Sequence, residues 1–132
     1  MSRKRENVRQ CKVIRQLIDD NKYTKALELI DAIPLEEVGS LDDLYRYAEL
    51  YEKAERMDKK KEIFYHIYHR THSRYMLNRL LRLTIRMGDM EEARELYFAY
   101  EVAGPITLDT FELRYLLAKA PTRKEYNIST TH

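Results

Sequence analysis

Apolar side chains recur along the chain at spacings of three and four residues, which places them on one face of an α-helix. Short segments that contain the glycines and prolines separate these runs. The pattern predicts about seven helices, at about residues 8–20, 24–32, 41–55, 58–70, 74–87, 90–102 and 108–119. With only 3 Gly and 3 Pro, the chain has too few turn residues for an all-β domain, so we assign it to the all-α class.

The two ends of the chain depart from this pattern. Residues 1–7 are interpreted as a basic N-terminal segment, and residues 121–132, rich in Asn, Ser and Thr, as a flexible tail. The helical domain is therefore placed at residues 8–120. A chain of 132 residues suffices for one such domain.

A repeat of 34 and then 33 residues organises the predicted helices. Ala26, Lys60 and Ala93 occupy one position of this repeat, and each is followed one turn later by a large side chain. Every unit also has a helical stretch upstream, so we interpret each unit as a pair of helices. The chain then contains three pairs and one further helix.

Candidate helix caps support these boundaries. Ser40 precedes the third predicted helix and is followed three residues later by a carboxylate, as in a capping box. Asp89 and Asp109 begin similar patterns and are predicted to cap the sixth and seventh helices. Gly88 is predicted to form the tight turn inside the third pair.

With this period, this two-helix unit and the small residues Ala26 and Ala93, the chain resembles the tetratricopeptide repeat (TPR) family over residues 8–120. Ala48 with Tyr51 and Pro105 also match that family's pattern, whereas Lys60 and the absence of Trp depart from it. The resemblance implies a right-handed superhelix of stacked antiparallel helix pairs, a TPR-like α-solenoid. Its first helices would line a concave groove that binds a protein or peptide partner.

The resemblance also implies which side chains line that groove. The candidates on the first helices are Arg15, Tyr45, Glu49, Tyr75, Asn78, Arg82 and Arg86. Three of them, Asn78, Arg82 and Arg86, follow one another at single helical turns and project together, in a way similar to the family's site for acidic peptide ends. The alternative is a solvated charged stripe, which the opposing charge of Glu49 favours.

The predicted helix at residues 108–119 is apolar on nearly all sides. We assign Phe111 and Tyr115 to its inner side because they are its largest apolar side chains. The outer side would then carry Leu113, Leu116 and Leu117. An exposed apolar patch of this kind tends to mark a contact site, so we predict a homodimer through this helix. Cover by the tail or by further repeats is the alternative.

Charge is segregated along the chain although the net charge is only +2. Residues 56–86 carry nine basic and two acidic side chains together with tyrosines, a composition that can bind RNA. A resemblance of residues 88–104 to a pentatricopeptide repeat gives the same alternative function, an RNA-binding helical repeat protein. The acidic blocks on both sides would repel a polyanion, so we do not expect nucleic acid as the partner.

Candidate catalytic and metal chemistry is sparse. His66, His69 and His72 are spaced by three, but His72 falls beyond the predicted helix end. Cys11 is the single cysteine of the chain. The sequence contains no phosphate-binding or dinucleotide-binding motif. We therefore expect no enzyme activity, no cofactor and no metal. The sequence has neither a run of 18 apolar residues, which would predict a membrane span, nor an apolar signal segment. A cytoplasmic location is therefore expected.

Overall fold

The structure, a computed structural model, describes residues 2–119, the side chains of residues 2–4 excepted. This part of the chain contains seven α-helices and no strand, which confirms the all-α class. The helices are α1 Ser2–Asp19, α2 Tyr23–Ala32, α3 Leu41–Lys53, α4 Met57–Thr71, α5 Arg74–Arg86, α6 Met90–Val102 and α7 Leu108–Lys119.

Most helix ends lie within two residues of their predicted positions, and α1 is the exception. It begins at Ser2 rather than at residue 8, because Arg, Lys and Glu propagate a helix well and nothing before residue 8 interrupts it. Asn7 donates a 2.7 Å hydrogen bond to Glu37, which fixes this part of α1 against the chain that follows α2. A short 3₁₀ helix, Leu35–Glu37, was not predicted. The predicted tail at residues 121–132 lies outside the described residues.

The chain forms two compact units that divide between Arg70 and Thr71. In the N-terminal unit, α1 packs against α2 and α2 against α3, while a 3.0 Å ion pair between Glu52 and Lys60 joins α3 to α4. In the C-terminal unit, α5 packs against α6, and α7 packs against both.

The small-residue position of the repeat is buried in all three helix pairs. Ala26 and Ala93 are fully buried, and Lys60 is only 7% exposed. The large side chains Ile30 and Phe64, one turn later, are buried as well, whereas Tyr97 at the corresponding position of α6 is half-buried. The predicted repeat register therefore matches the observed packing of α2, α4 and α6.

The turn inside each helix pair has the same geometry. Asn21, Glu55 and Gly88 adopt φ angles of 59°, 60° and 83°, the left-handed conformation that ends many helices. In each turn the N–H of the next residue donates back to a carbonyl of the preceding helix, as in a Schellman motif. These bonds join Lys22 to Leu17 at 2.8 Å, Arg56 to Tyr51 at 2.8 Å and Asp89 to Thr84 at 3.1 Å.

The helix caps agree only partly with the prediction. Ser40 caps α3 as predicted, its hydroxyl accepting from the N–H of Asp43 at 3.3 Å, and Ser73 caps α5 in the same way without having been predicted. Asp89 makes no side-chain cap bond. Asp109 lies inside α7, because α7 begins at Leu108 and the Thr107 N–H donates to the Thr110 hydroxyl at 3.0 Å. The predicted cap at Asp109 is therefore wrong, whereas Asp89 occupies the N-cap position of α6 as predicted, without a side-chain bond.

Candidate protein-binding surfaces

Arg15 of α1, a predicted groove residue, is bound to a carboxylate of its own chain. Its guanidinium donates two hydrogen bonds of 3.1 Å to the two oxygens of Asp43 on α3. Asp43 is only 3% exposed, and its backbone N–H is the one that Ser40 caps. The hydrogen bonds to Asp43 raise the pKa of Arg15, and the attraction between the two charges adds to this.

Arg82 of α5 makes a similar connection to α7. Its Nη1 donates to Glu112 at 2.8 Å and its Nη2 lies 3.6 Å from Asp109. Its Nε donates to the Asn78 side chain at 2.6 Å, so the structure brings together two of the predicted groove residues. The hydrogen bond from Arg82 lowers the pKa of Glu112 and raises that of Arg82 itself.

The two arginines occupy equivalent repeat positions. The repeat spacings of 34 and 33 residues lead from Arg15 through Glu49 to Arg82. The principal carboxylate partners of the two arginines, Asp43 and Glu112, are not at equivalent repeat positions. In each unit an arginine thus joins the first helix of one pair to the first helix that follows. The equivalent position between the two arginines carries Glu49.

The other predicted groove residues differ in exposure. Tyr45 is half-buried on α3, whereas Glu49 is exposed. On α5, Tyr75 is 66% exposed, and the guanidinium of Arg79 lies 5.8 Å from the centre of its ring. Arg86 is exposed at the last residue of α5. Helical spacing places Tyr75, Arg79, Arg82 and Arg86 on one face, and α5 contains no acidic residue.

The orientation that the sequence suggested for α7 is wrong. Leu113 is fully buried, and Leu116 and Leu117 are half-buried, whereas Phe111 and Tyr115 are more than half exposed. Both sides of α7 are apolar, so apolarity could not distinguish them. Its polar side chains do: Glu112 reaches Arg82 on α5, and Arg114 reaches Glu101 on α6 at 3.4 Å. These contacts turn Leu113 inward.

Arg114 links the exposed apolar side chains of α6 and α7. Its Nε donates to the Tyr97 hydroxyl at 2.5 Å, and its guanidinium lies 5.7 Å from the centre of the Phe111 ring. On α6, the exposed side chains Phe98 and Val102 directly follow the two residues that Arg114 contacts. The sequence analysis did not predict this surface. The apolar residues at 98 and 102, on the otherwise polar side of α6, could have indicated it.

A cavity of about 330 Å³ in the N-terminal unit was also missed. Asp31, at its edge, accepts hydrogen bonds from the Tyr51 hydroxyl and, at 2.9 Å, from Arg56. Burial opposes ionisation of Asp31, but these two hydrogen bonds outweigh it and lower the pKa of the carboxyl. The other charged lining residues, Glu36, Lys59 and Glu62, include an ion pair of 3.5 Å between Lys59 and Glu62. Lys59 thus pairs with one of the three acidic lining residues, and Arg56, outside the lining, pairs with Asp31.

The three histidines do not converge. His66 is half-buried on α4, His69 is exposed and stacks on Tyr65 with ring centres 6.1 Å apart, and His72 follows the end of α4 with a φ of 52°. Among residues 2–119, no group of three or more His, Cys, Asp or Glu side chains has a geometry that could hold a metal ion.

Comparison with protein-family models, with curated proteins and with solved structures finds no match to this chain. None of the helices within residues 2–119 has the length and apolarity needed to cross a membrane. The surfaces themselves are therefore the basis for a functional proposal.

Proposed function

We propose that this chain is a TPR-like helical-repeat scaffold, a right-handed superhelix of stacked helix pairs, that binds a protein or peptide partner. Three helix pairs with equivalent buried positions and equivalent turns support a repeat architecture. In such proteins each pair buries its apolar side against a neighbour, and the remaining faces form extended binding surfaces.

The observation that carries the proposal is the exposed face of α5. Tyr75 offers a large, rigid aromatic contact, and Arg79 and Arg86 lie one and three turns further along the same face. Arginine forks bind carboxylates well, so the favoured partner is an acidic peptide or helix. Arg82, on the same face, binds Glu112 of α7.

Site-specific photo-crosslinking tests the proposal. Tyr75 is replaced by p-benzoylphenylalanine, which keeps an aromatic ring at that position, and cells of the source organism are irradiated. We expect a crosslinked protein that resists ribonuclease and disappears when Arg79→Glu and Arg86→Glu are added. The matched control places the same photoreactive residue at Val13, a half-exposed apolar position on α1.

The alternative, RNA binding, rests on the same arginines and tyrosine, since aromatic stacking and phosphate neutralisation use these side chains. The carboxylates of Asp109 and Glu112 next to Arg82 disfavour it. Crosslinked RNA, with binding that weakens steeply as salt is added, would replace our proposal with this one. Equal crosslinking from positions 75 and 13 would refute a specific site on α5.

A further inference from the structure

The cavity of about 330 Å³ in the N-terminal unit is formed by the last turn of α2, the segment that follows it, α3 and α4. Three of the residues that line it are buried, namely Ile33, Tyr51 and Ile63. Pro34 and Leu35 continue this apolar side of the cavity. Small-molecule sites have volumes of about 300–1,000 Å³, so the cavity is large enough for a small ligand or for one side chain of a partner.

The charged side chains that line the cavity are mostly acidic. They comprise the carboxylates of Asp31, Glu36 and Glu62 and the ammonium of Lys59. Lys59 pairs with Glu62 at 3.5 Å, and Arg56, from outside the lining, pairs with Asp31 at 2.9 Å. Glu36 is exposed, and no ion pair involves it within residues 2–119. One carboxylate of the lining thus remains without a cation.

The end of α2 adds to this preference for a cation. Asp31 and Ala32 are the last two residues of α2, and both line the cavity. The last carbonyl groups of a helix have no N–H partner within it and carry a partial negative charge. The last turn of α2 contains no basic side chain that could neutralise this charge.

The cation that fits this cavity is organic. Among residues 2–119 no group of three or more His, Cys, Asp or Glu side chains could hold a metal ion. A primary ammonium needs less, because it donates up to three hydrogen bonds and can share them between a carboxylate, a backbone carbonyl and water. Its carbon chain packs on an apolar surface while the charged group stays in contact with water, and the cavity offers both.

We propose that this cavity binds an alkylammonium group, with the ammonium beside Glu36 and the end of α2 and the carbon chain against Ile33 and Ile63. A lysine side chain of a partner and a free aliphatic amine share this chemistry. The carboxylates at the mouth of the cavity are exposed to water, so the binding is weak, with a dissociation constant on the order of 1 mM for a single group.

Titration of the full chain with n-butylammonium, followed by NMR of the isoleucine methyl groups, tests the proposal. The signals of Ile33 and Ile63 should shift and saturate. Those of Ile14 and Ile67, which are fully buried in the same unit and do not line the cavity, should stay in place. Ammonium chloride supplies the charge without the carbon chain, and n-butanol supplies the chain without the charge. Each should bind about tenfold more weakly or not at all, because each lacks one of the two contacts.

Charge-neutral variants locate the site. Glu36→Gln with Glu62→Gln removes two carboxylates and leaves Lys59 without its partner, so n-butylammonium should bind about tenfold more weakly or not at all. The matched control, Glu28→Gln with Glu49→Gln, removes two exposed carboxylates of the same unit that do not line the cavity and should bind like the parent. Equal binding by the two double variants, or equal shifts with ammonium chloride, would overturn the proposal.

Two further probes distinguish the sources of the ammonium. Acetyl-lysine methylamide presents a lysine side chain as a peptide does, and putrescine is a free diamine. The probe that binds more tightly identifies the source, and absence of saturable shifts with n-butylammonium and with both of these probes would overturn the proposal. None of these results bears on crosslinking of a partner to Tyr75 in the C-terminal unit, so the two proposals can fail separately.

Discussion

Arg82 on α5 holds Glu112 on α7 at 2.8 Å, and Arg15, at the equivalent repeat position on α1, holds Asp43 on α3. Both arginines were predicted from the sequence to line a groove, and Arg82 to belong to a site for acidic peptide ends. In the structure each binds a carboxylate of the next first helix. Each arginine thus connects the first helix of a pair to the first helix that follows in the same unit.

These two ion pairs should differ in their contribution to stability. Arg15→Gln leaves the buried carboxylate of Asp43 without its charged partner, whereas Arg82→Gln leaves Glu112 and Asp109, whose side chains are 57% and 58% exposed and hydrated. We expect a clearly lower melting temperature for Arg15→Gln and a smaller decrease for Arg82→Gln. Arg46→Gln, at an exposed arginine of α3, is the control. Equal melting temperatures for the first two variants would contradict this reasoning.

Gain or loss of glycine at the three equivalent turns should change the stability of the fold by different amounts. Glu55 adopts a φ of 60°, a conformation that costs a side-chain-bearing residue about 1 kcal/mol relative to glycine, so Glu55→Gly should stabilise the fold by about that amount. Gly88→Ala should destabilise it by about 1 kcal/mol. Asn21→Gly should change little, because asparagine tolerates this conformation. Urea unfolding followed by circular dichroism measures all three, and a destabilised Glu55→Gly would show that its side chain matters more than its backbone.

The small-residue position should resist enlargement in α6 and tolerate a change in α4. Ala93 is fully buried, so Ala93→Leu should cost about 1–3 kcal/mol by overpacking. Lys60→Met keeps the length of the side chain and removes a buried charge whose partner, Glu52, is partly exposed. It should be neutral or stabilising by about 1 kcal/mol. The two variants are compared in the same melts, and a destabilised Lys60→Met would show that the ion pair with Glu52 contributes net stability.

The sequence predicted the helices and their register well because both depend on local periodicity. The repeat spacing placed Ala26, Lys60 and Ala93 at one buried position, and all three are buried. The start of α1 was missed because charged residues can extend a helix without any apolar pattern. The superhelix and its right-handed sense remain predictions.

The site was harder to predict because it depends on contacts between helices. Nothing in the sequence pairs Arg82 with Glu112, 30 residues away. The orientation of α7 was wrong for a related reason: side-chain size does not decide which of two apolar sides faces inward. The polar contacts of Glu112 and Arg114 decide it, and they become visible only when α5 and α6 are in place.

Replacing each of two buried tyrosines of α3 by Phe should change the stability of the fold in opposite directions. Only one of the two hydroxyls donates to a carboxylate. The hydroxyl of Tyr51 donates to the carboxylate of Asp31, whereas that of Tyr47 has no oxygen or nitrogen partner among the described residues and lies beside the thiol of Cys11. Removing an unpartnered buried hydroxyl is neutral or favourable, so Tyr47→Phe should stabilise the fold by up to about 1 kcal/mol at pH 7. Tyr51→Phe should destabilise it by about 1 kcal/mol, because Asp31 loses a donor.

In alkaline solution both tyrosine variants should lose less stability than the parent. Burial raises the pKa of Tyr47, and Cys11 beside it raises this pKa further; burial and Asp31 raise the pKa of Tyr51. Each phenol therefore stays protonated in the folded chain while its unfolded counterpart ionises near pH 10, so stability is full below that pH and falls as pH rises above it. Each replacement by Phe removes one such group. The free energy of unfolding should then fall less steeply with pH, by up to about 1.4 kcal/mol per pH unit. Urea unfolding at pH 7, 9, 10 and 11 measures the slopes, with Tyr75→Phe at an exposed tyrosine as the control. If Tyr47→Phe and Tyr75→Phe follow the parent equally, the Tyr47 phenol must ionise in the folded chain, and its burial against Cys11 would be refuted.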